Sequence, residues 1–194
     1  MGFLDVILGR SKPVRPDLDQ LFAVPSAAIT LQAGAGFLPT GLGSVCFASV
    51  EGGAFSRVRD EVRELLDADT ATGGLPVEFS QDSYGYTWLL ARQSPDDVTT
   101  LVNDLHAVNT LLRDAGFGPQ LLCSLVGFRD AEHRPLALVY LYKRGTFYPF
   151  APIAGAGERR DNELELQARA LLTNDLRLES DLSRWFPVWG APGL

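Results

Sequence analysis

Apolar positions along the chain fall into two spacings, one of three to four residues and one of two, and these predict the elements. Phe55, Val58, Val62, Leu65 and Leu66 recur at helical spacing, with Arg57, Asp60, Glu61 and Glu64 between them. A helix over residues 54–68 follows, buried on one stripe. Val98, Leu101, Val102, Leu105, Val108 and Leu112 trace a second stripe. Ser94 as N-cap, Pro95 at the first helical position and Gly116 as the stop bound that helix. Leu164, Ala168, Leu171 and Leu172 define a third, over residues 161–172. Leu18, Leu21 and Phe22 give a short helix over 17–24, with Pro25 as its stop.

Alternation marks the strands. Ala27, Ile29 and Leu31 predict a first strand over 27–33, and the four glycines and Pro39 of residues 34–43 predict a loop. Strands are expected at 44–50, 77–80 and 84–92, the last two joined as a hairpin around Asp82. The apolar runs 120–128 and 135–142 flank the polar tip 129–134, so they read as neighbouring antiparallel strands near the sheet centre. An aromatic stretch follows, with Phe147, Tyr148 and Phe150. The terminal Trp185, Phe186, Val188 and Trp189 are too aromatic to remain in water and should dock on the body. Paired strands separated by helices give an α+β fold: a single domain over 17–194, a mainly antiparallel sheet with helices packed on it. Chaperone-like modules that hold a client segment share this order of elements.

Residues 1–16 read as a separate piece. Phe3, Leu4, Ile7 and Leu8 share one side of a short amphipathic helix ended by Gly9, and Arg10, Lys12 and Arg15 follow. Pro13 and Pro16 stiffen the connector. These four apolar residues are candidates for a partner or for weak peripheral membrane contact. So short a segment buries too little apolar area for a firm grip on a bilayer alone.

Composition narrows the function. With 46% apolar and 21% charged residues, 194 residues suffice for a core without staples. A net charge of −7 argues against a broad electrostatic grip on nucleic acid. No apolar run reaches the ~20 residues that span a bilayer, and the N-terminus lacks a signal-peptide pattern. A cytoplasmic protein is expected, peripheral at most to the inner face of the plasma membrane. Cys46 and Cys123 lie in apolar runs and read as small buried hydrophobes, with a disulfide requiring those runs to be adjacent.

Motifs for chemistry fail. Gly34, Gly36, Gly41 and Gly43 lack the third glycine and the following helix of a nucleotide loop. His106 and His133 have no zinc-ligand spacing, and Cys123 with His106 is the only Cys–His pairing worth weighing. Glu51, Glu78 and Asp82 are candidate acid–base carboxylates only if the fold gathers them. No cofactor or metal is implied. Tyr84, Tyr86 and Trp88, with Tyr148, form either core packing or an aromatic surface or cleft for a peptide or small ligand.

Residues 1–5 (MGFLD), 77–88 (VEFSQDSYGYTW), 101–106 (LVNDLH), 142–150 (YKRGTFYPF) and 185–189 (WFPVW) together resemble the actinobacterial PspA-associated family PspAB, across nearly the whole chain. The resemblance implies an accessory or adaptor role in the phage-shock envelope-stress response, with PspA or a related protein as partner. It carries no catalytic residues. A small-ligand-binding domain or enzyme using the aromatic cleft, or a client-binding module, are the alternative readings. Oligomeric state is not legible.

Overall fold

The computed structural model describes residues 16–49, 52–67 and 76–194. The expected N-terminal helix, with Phe3, Leu4, Ile7 and Leu8, lies outside them. Among the described residues, six strands form one antiparallel sheet: β1 (Leu38–Ala48), β2 (Glu78–Gln81), β3 (Tyr86–Arg92), β4 (Leu121–Arg129), β5 (Pro135–Leu141) and β6 (Thr146–Phe150). Their order is β2-β3-β1-β4-β5-β6. The α-helices α1 (Val24–Ala35), α2 (Gly53–Asp67), α3 (Val98–Leu112) and α4 (Asn162–Leu172) contribute to a core on one face. The C-terminal tail packs across part of the other face. This is the α+β arrangement expected from the patterning.

Residues 24–35 depart from the patterning. The expected strand at 27–33 is helix α1, entered from a 3-10 turn over Leu18–Ala23. Pro25 lies in the first helical turn, where its missing amide costs nothing, so it opens a helix rather than closing one. Val24, Ala27, Ala28 and Leu31 are buried at helical spacing, and Ile29 is 70% exposed. The alternation of Ala27, Ile29 and Leu31 is coincidental. Gly36 then caps α1 in the left-handed conformation (φ 70°). The glycine-rich stretch expected as a loop is largely β1, which begins at Leu38. At α3 the cap is Asp97, whose side chain accepts the Thr100 amide at 2.9 Å, and Ser94 and Pro95 precede the helix. A turn ahead of a helix carries the same residue types as a helix start, so the pattern alone does not separate the two.

Two glycines on the central strands let both outer layers close. Gly43 of β1 faces α3, and a Cβ there would stand 3.0 Å from Leu105 Cδ1 and 3.2 Å from Leu101 Cδ1. Gly127 of β4 lies under the end of the chain, where a Cβ would come within 2.1 Å of the Gly193 carbonyl. One buried polar bridge ties helix to sheet: Asn109 Nδ2 donates to Leu105 O (2.7 Å) and to Ser124 Oγ (2.8 Å). Ser124 is the polar position within the apolar run 121–128 of β4.

Gly127→Ala should displace the last residues and cost about 1–3 kcal/mol, the usual range for overpacking. Chemical denaturation measures the loss. The same substitution in a chain ending at Pro192 should cost less, because the nearest obstruction, the Gly193 carbonyl, is gone and only the Thr40 Oγ1 contact at 2.9 Å remains tight.

Candidate functional site

The face of the sheet turned away from the helices carries Cys46, Trp88, Cys123, Leu125, Val139, Tyr148 and Phe150. Strand alternation puts them there: Val45 and Phe47, on either side of Cys46, belong to the helix-side core. The tail crosses only part of this face. Trp185 stacks on Tyr148 (centroids 5.9 Å, 24°), and Trp189 meets Phe150 edge-on (4.9 Å, 69°). Arg160 Nη1 donates to Trp185 O at 2.6 Å, and Tyr148 Oη donates to Phe186 O at 2.6 Å. Between the sheet, the tail and the β2–β3 hairpin a cleft of about 740 Å³ stays open. That volume falls within the ~300–1,000 Å³ of small-ligand sites.

The hairpin wall is organised by one carboxylate. Asp82 accepts the amides of Tyr84 and Tyr86, each at 2.9 Å, and Trp88 Nε1 at 2.8 Å. Its partial burial opposes ionisation, but the Trp88, Tyr86 and Tyr84 donors outweigh this and hold the carboxyl below its usual range. Tyr84, 65% exposed, and Tyr86 then stand at the rim, and Tyr84 Oη reaches Glu158 Oε1 at 3.4 Å. Trp88 and Tyr148 are buried in the floor and Phe186 is 58% exposed on the opposite lip. The structure therefore places Tyr84, Tyr86, Trp88 and Tyr148 around one cleft.

Charges of both signs flank it, Asp82 and Glu158 with Lys143, Arg144 and Arg184. Arg144 and Arg184 are tied to Glu179, which is buried at 1% exposure. Glu179 accepts Arg144 Nε (3.0 Å), Thr146 Oγ1 (3.0 Å) and the Asp181 amide (3.1 Å). Burial raises its carboxyl pKa, yet these donors more than reverse that, leaving it below the usual value. Lys143 also lines the cleft and is exposed.

The remaining sequence candidates do not converge. Cys123 lines the cleft, while His106 belongs to α3 on the other side of the sheet and lies 3.4 Å from Asp19. Glu78 is paired with Arg92 at 2.8 Å, and Glu51 lies outside the described residues. His133 occupies the exposed β4–β5 turn with φ 61°. No group of three or more metal-ligating side chains occurs among the described residues. Sequence reasoning misses the meeting of the two cysteines: Cys46 and Cys123 are direct cross-strand partners. Their parity is readable, but the register that aligns them is not. It also misses Lys143 and the role of Glu179.

The family model for PspA associated protein B, PspAB, matches residues 1–193. The chain belongs to the PspAB family. No curated protein and no solved structure matches it. The PspAB match includes every cleft-lining residue named above. No helix among the described residues of this PspAB member is long and apolar enough to cross a membrane.

Glu179→Gln should lower stability at neutral pH by roughly 1–3 kcal/mol, because Arg144 loses its charged partner inside the fold. The folded-state pKa is depressed, so the stabilisation is present above the unfolded value near ~4.3 and fades as pH falls through the folded value. The gap between wild type and variant should therefore shrink in melts below about pH 4. Asp82→Ala should cost about 1–3 kcal/mol by stripping three donors of their acceptor, and should raise the exposure of Trp88 in quenching measurements.

Proposed function

We propose that this protein is an accessory factor of the phage-shock envelope-stress response that acts by binding PspA. The family match over residues 1–193 carries this reading, since the family is described by its association with PspA. The cleft supplies a suitable surface. Its exposed Tyr84, Tyr86 and Phe186 are rigid aromatic side chains, and buried aromatic anchors carry much of the binding energy at protein contacts. Its floor is apolar, and its edge carries charges of both signs, Lys143 with Asp82 and Glu158, while Arg144 and Arg184 are paired with Glu179. An occupant with an apolar stripe bordered by polar groups of both signs fits these features. Residues 1–10, with Phe3, Leu4, Ile7 and Leu8, are proposed as a second, weaker contact toward PspA or the inner membrane surface. The working place is then the cytoplasmic side of the envelope.

Purified PspA should be retained by the full chain, and Tyr86→Ala with Phe186→Ala should weaken retention by about tenfold or more, the scale of removing aromatic anchors. A chain lacking residues 1–10 should retain PspA less well on vesicles than in solution. If neither the full chain nor the truncated one holds PspA, the reading is wrong. The cleft's volume favours one other reading, a small-ligand site, which native mass spectrometry of the purified protein would reveal as a persistent adduct.

A further inference from the structure

Two thiols face one another in the wall of the cleft. Cys46 of β1 and Cys123 of β4 are paired in register on adjacent antiparallel strands, both are free, and both line the cleft. Directly opposed strand residues hold their Cβ atoms about 4.5–5.5 Å apart, and a disulfide needs about 3.5–4.5 Å. The difference is small, and the sheet is irregular at this point. The β1–β4 register shifts between Cys46 and Phe47, so that Leu122 and Cys123 both turn toward the cleft side. A bulge gives local freedom for the two strands to draw together. Two thiols in a sealed core would be inert hydrophobes; these two border open space.

We propose that Cys46 and Cys123 form a redox-active dithiol that closes to a disulfide on reaction with an apolar hydroperoxide admitted by the cleft. The two sulfurs have different parts. Cys123 is the more accessible, at 8% against 3% exposure. The hydrogen bond between the thiols, followed by burial, pushes the Cys46 thiol up, so Cys46 keeps its proton beside the Cys123 sulfur. Cys123 thiolate attacks the O–O bond and takes one oxygen as a sulfenic acid. The other oxygen leaves as alkoxide and receives the proton that Cys123 gave up, yielding the alcohol. The Cys46 sulfur then displaces the sulfenic hydroxyl, which departs as water with the Cys46 proton, and the S–S bond forms. Two thiols and one hydroperoxide become one disulfide, one alcohol and one water. The two electrons that reduce the O–O bond come from the sulfur pair. The apolar floor beside the thiols, with Trp88, Leu122 and Leu141, favours an organic hydroperoxide over hydrogen peroxide. This inference is independent of PspA binding, because it is read on the isolated protein.

The test exposes the reduced full chain to cumene hydroperoxide and, separately, to hydrogen peroxide, then measures intact mass and maps peptides without reduction. The expected product is a monomer lighter by about 2 Da, joined at Cys46 and Cys123 and restored by dithiothreitol. It should form faster with cumene hydroperoxide. Cys46→Ser should stop at a sulfenic acid on Cys123 that dimedone captures, and Cys123→Ser should leave the remaining thiol unreacted. Persistence of both thiols in the folded wild type overturns the proposal, as does a disulfide formed only between chains. Faster reaction with hydrogen peroxide overturns the cleft as the substrate's place.

Discussion

The antiparallel pairing of β1 with β4 is the constraint on which the remainder depends. These are the two central strands, and each must be covered on both faces because each is apolar on both. Helix α3 covers one side and the tail the other. Neither could approach if the strand pair carried side chains everywhere, so Gly43 opens space for Leu101 and Leu105, and Gly127 for the Gly193 carbonyl. Close packing of this kind is where most of the burial energy accrues, at about 1.5–3 kcal/mol for each large apolar side chain removed from water.

The two covers differ in kind. The helical layer buries a continuous set of aliphatic and aromatic side chains. The tail has no regular element over the sheet beyond one short turn, Leu182–Arg184, so it is held by point attachments. Trp185 is fixed by Tyr148 stacking, by Arg160, and through its own Nε1 by Glu179 O at 3.1 Å. Arg129 Nη2 reaches Leu194 O at 3.2 Å at the far end. A cover built from points leaves gaps, and the cleft is one consequence. It is bounded by the tail, by the Asp82-centred hairpin and by the floor that holds the thiol pair. The open cleft and the thiol pair that borders it therefore share one origin in the incomplete coverage of one sheet face.

Much of this is legible in the sequence. Helices α2, α3 and α4 follow from their apolar stripes, and β4 and β5 from two apolar runs around a polar turn. The alternation of Tyr86 and Trp88 along one strand places both on one face, and the aromatic tail demands a docking site. Helix α1 is not legible, because alanine-rich segments carry too little hydrophobic contrast to separate a period of two from one of 3.6. The cap of α3 falls at Asp97 rather than Ser94, because serine, proline and aspartate serve turns and caps alike. Glu179 reads as one more surface carboxylate, since its burial depends on Arg144 and Thr146, some 33 to 35 residues away in sequence.

By itself, the sequence determined most of the residues that turn inward on α3 and on the central strands, because burial of apolar stripes is largely a local matter of spacing. Phe22, Ile29 and Leu65 are the exceptions, exposed although their spacing pointed inward. The same spacing determined the α+β class, and the distinctive segments of the sequence carried the family. The tertiary structure alone decided that Cys46 meets Cys123, that Asp82 gathers three donors, and that the tail stops short of sealing the sheet. Each of those depends on strand register and order across long separations. Register is set by the whole sheet closing at once, so no local pattern of side chains encodes it.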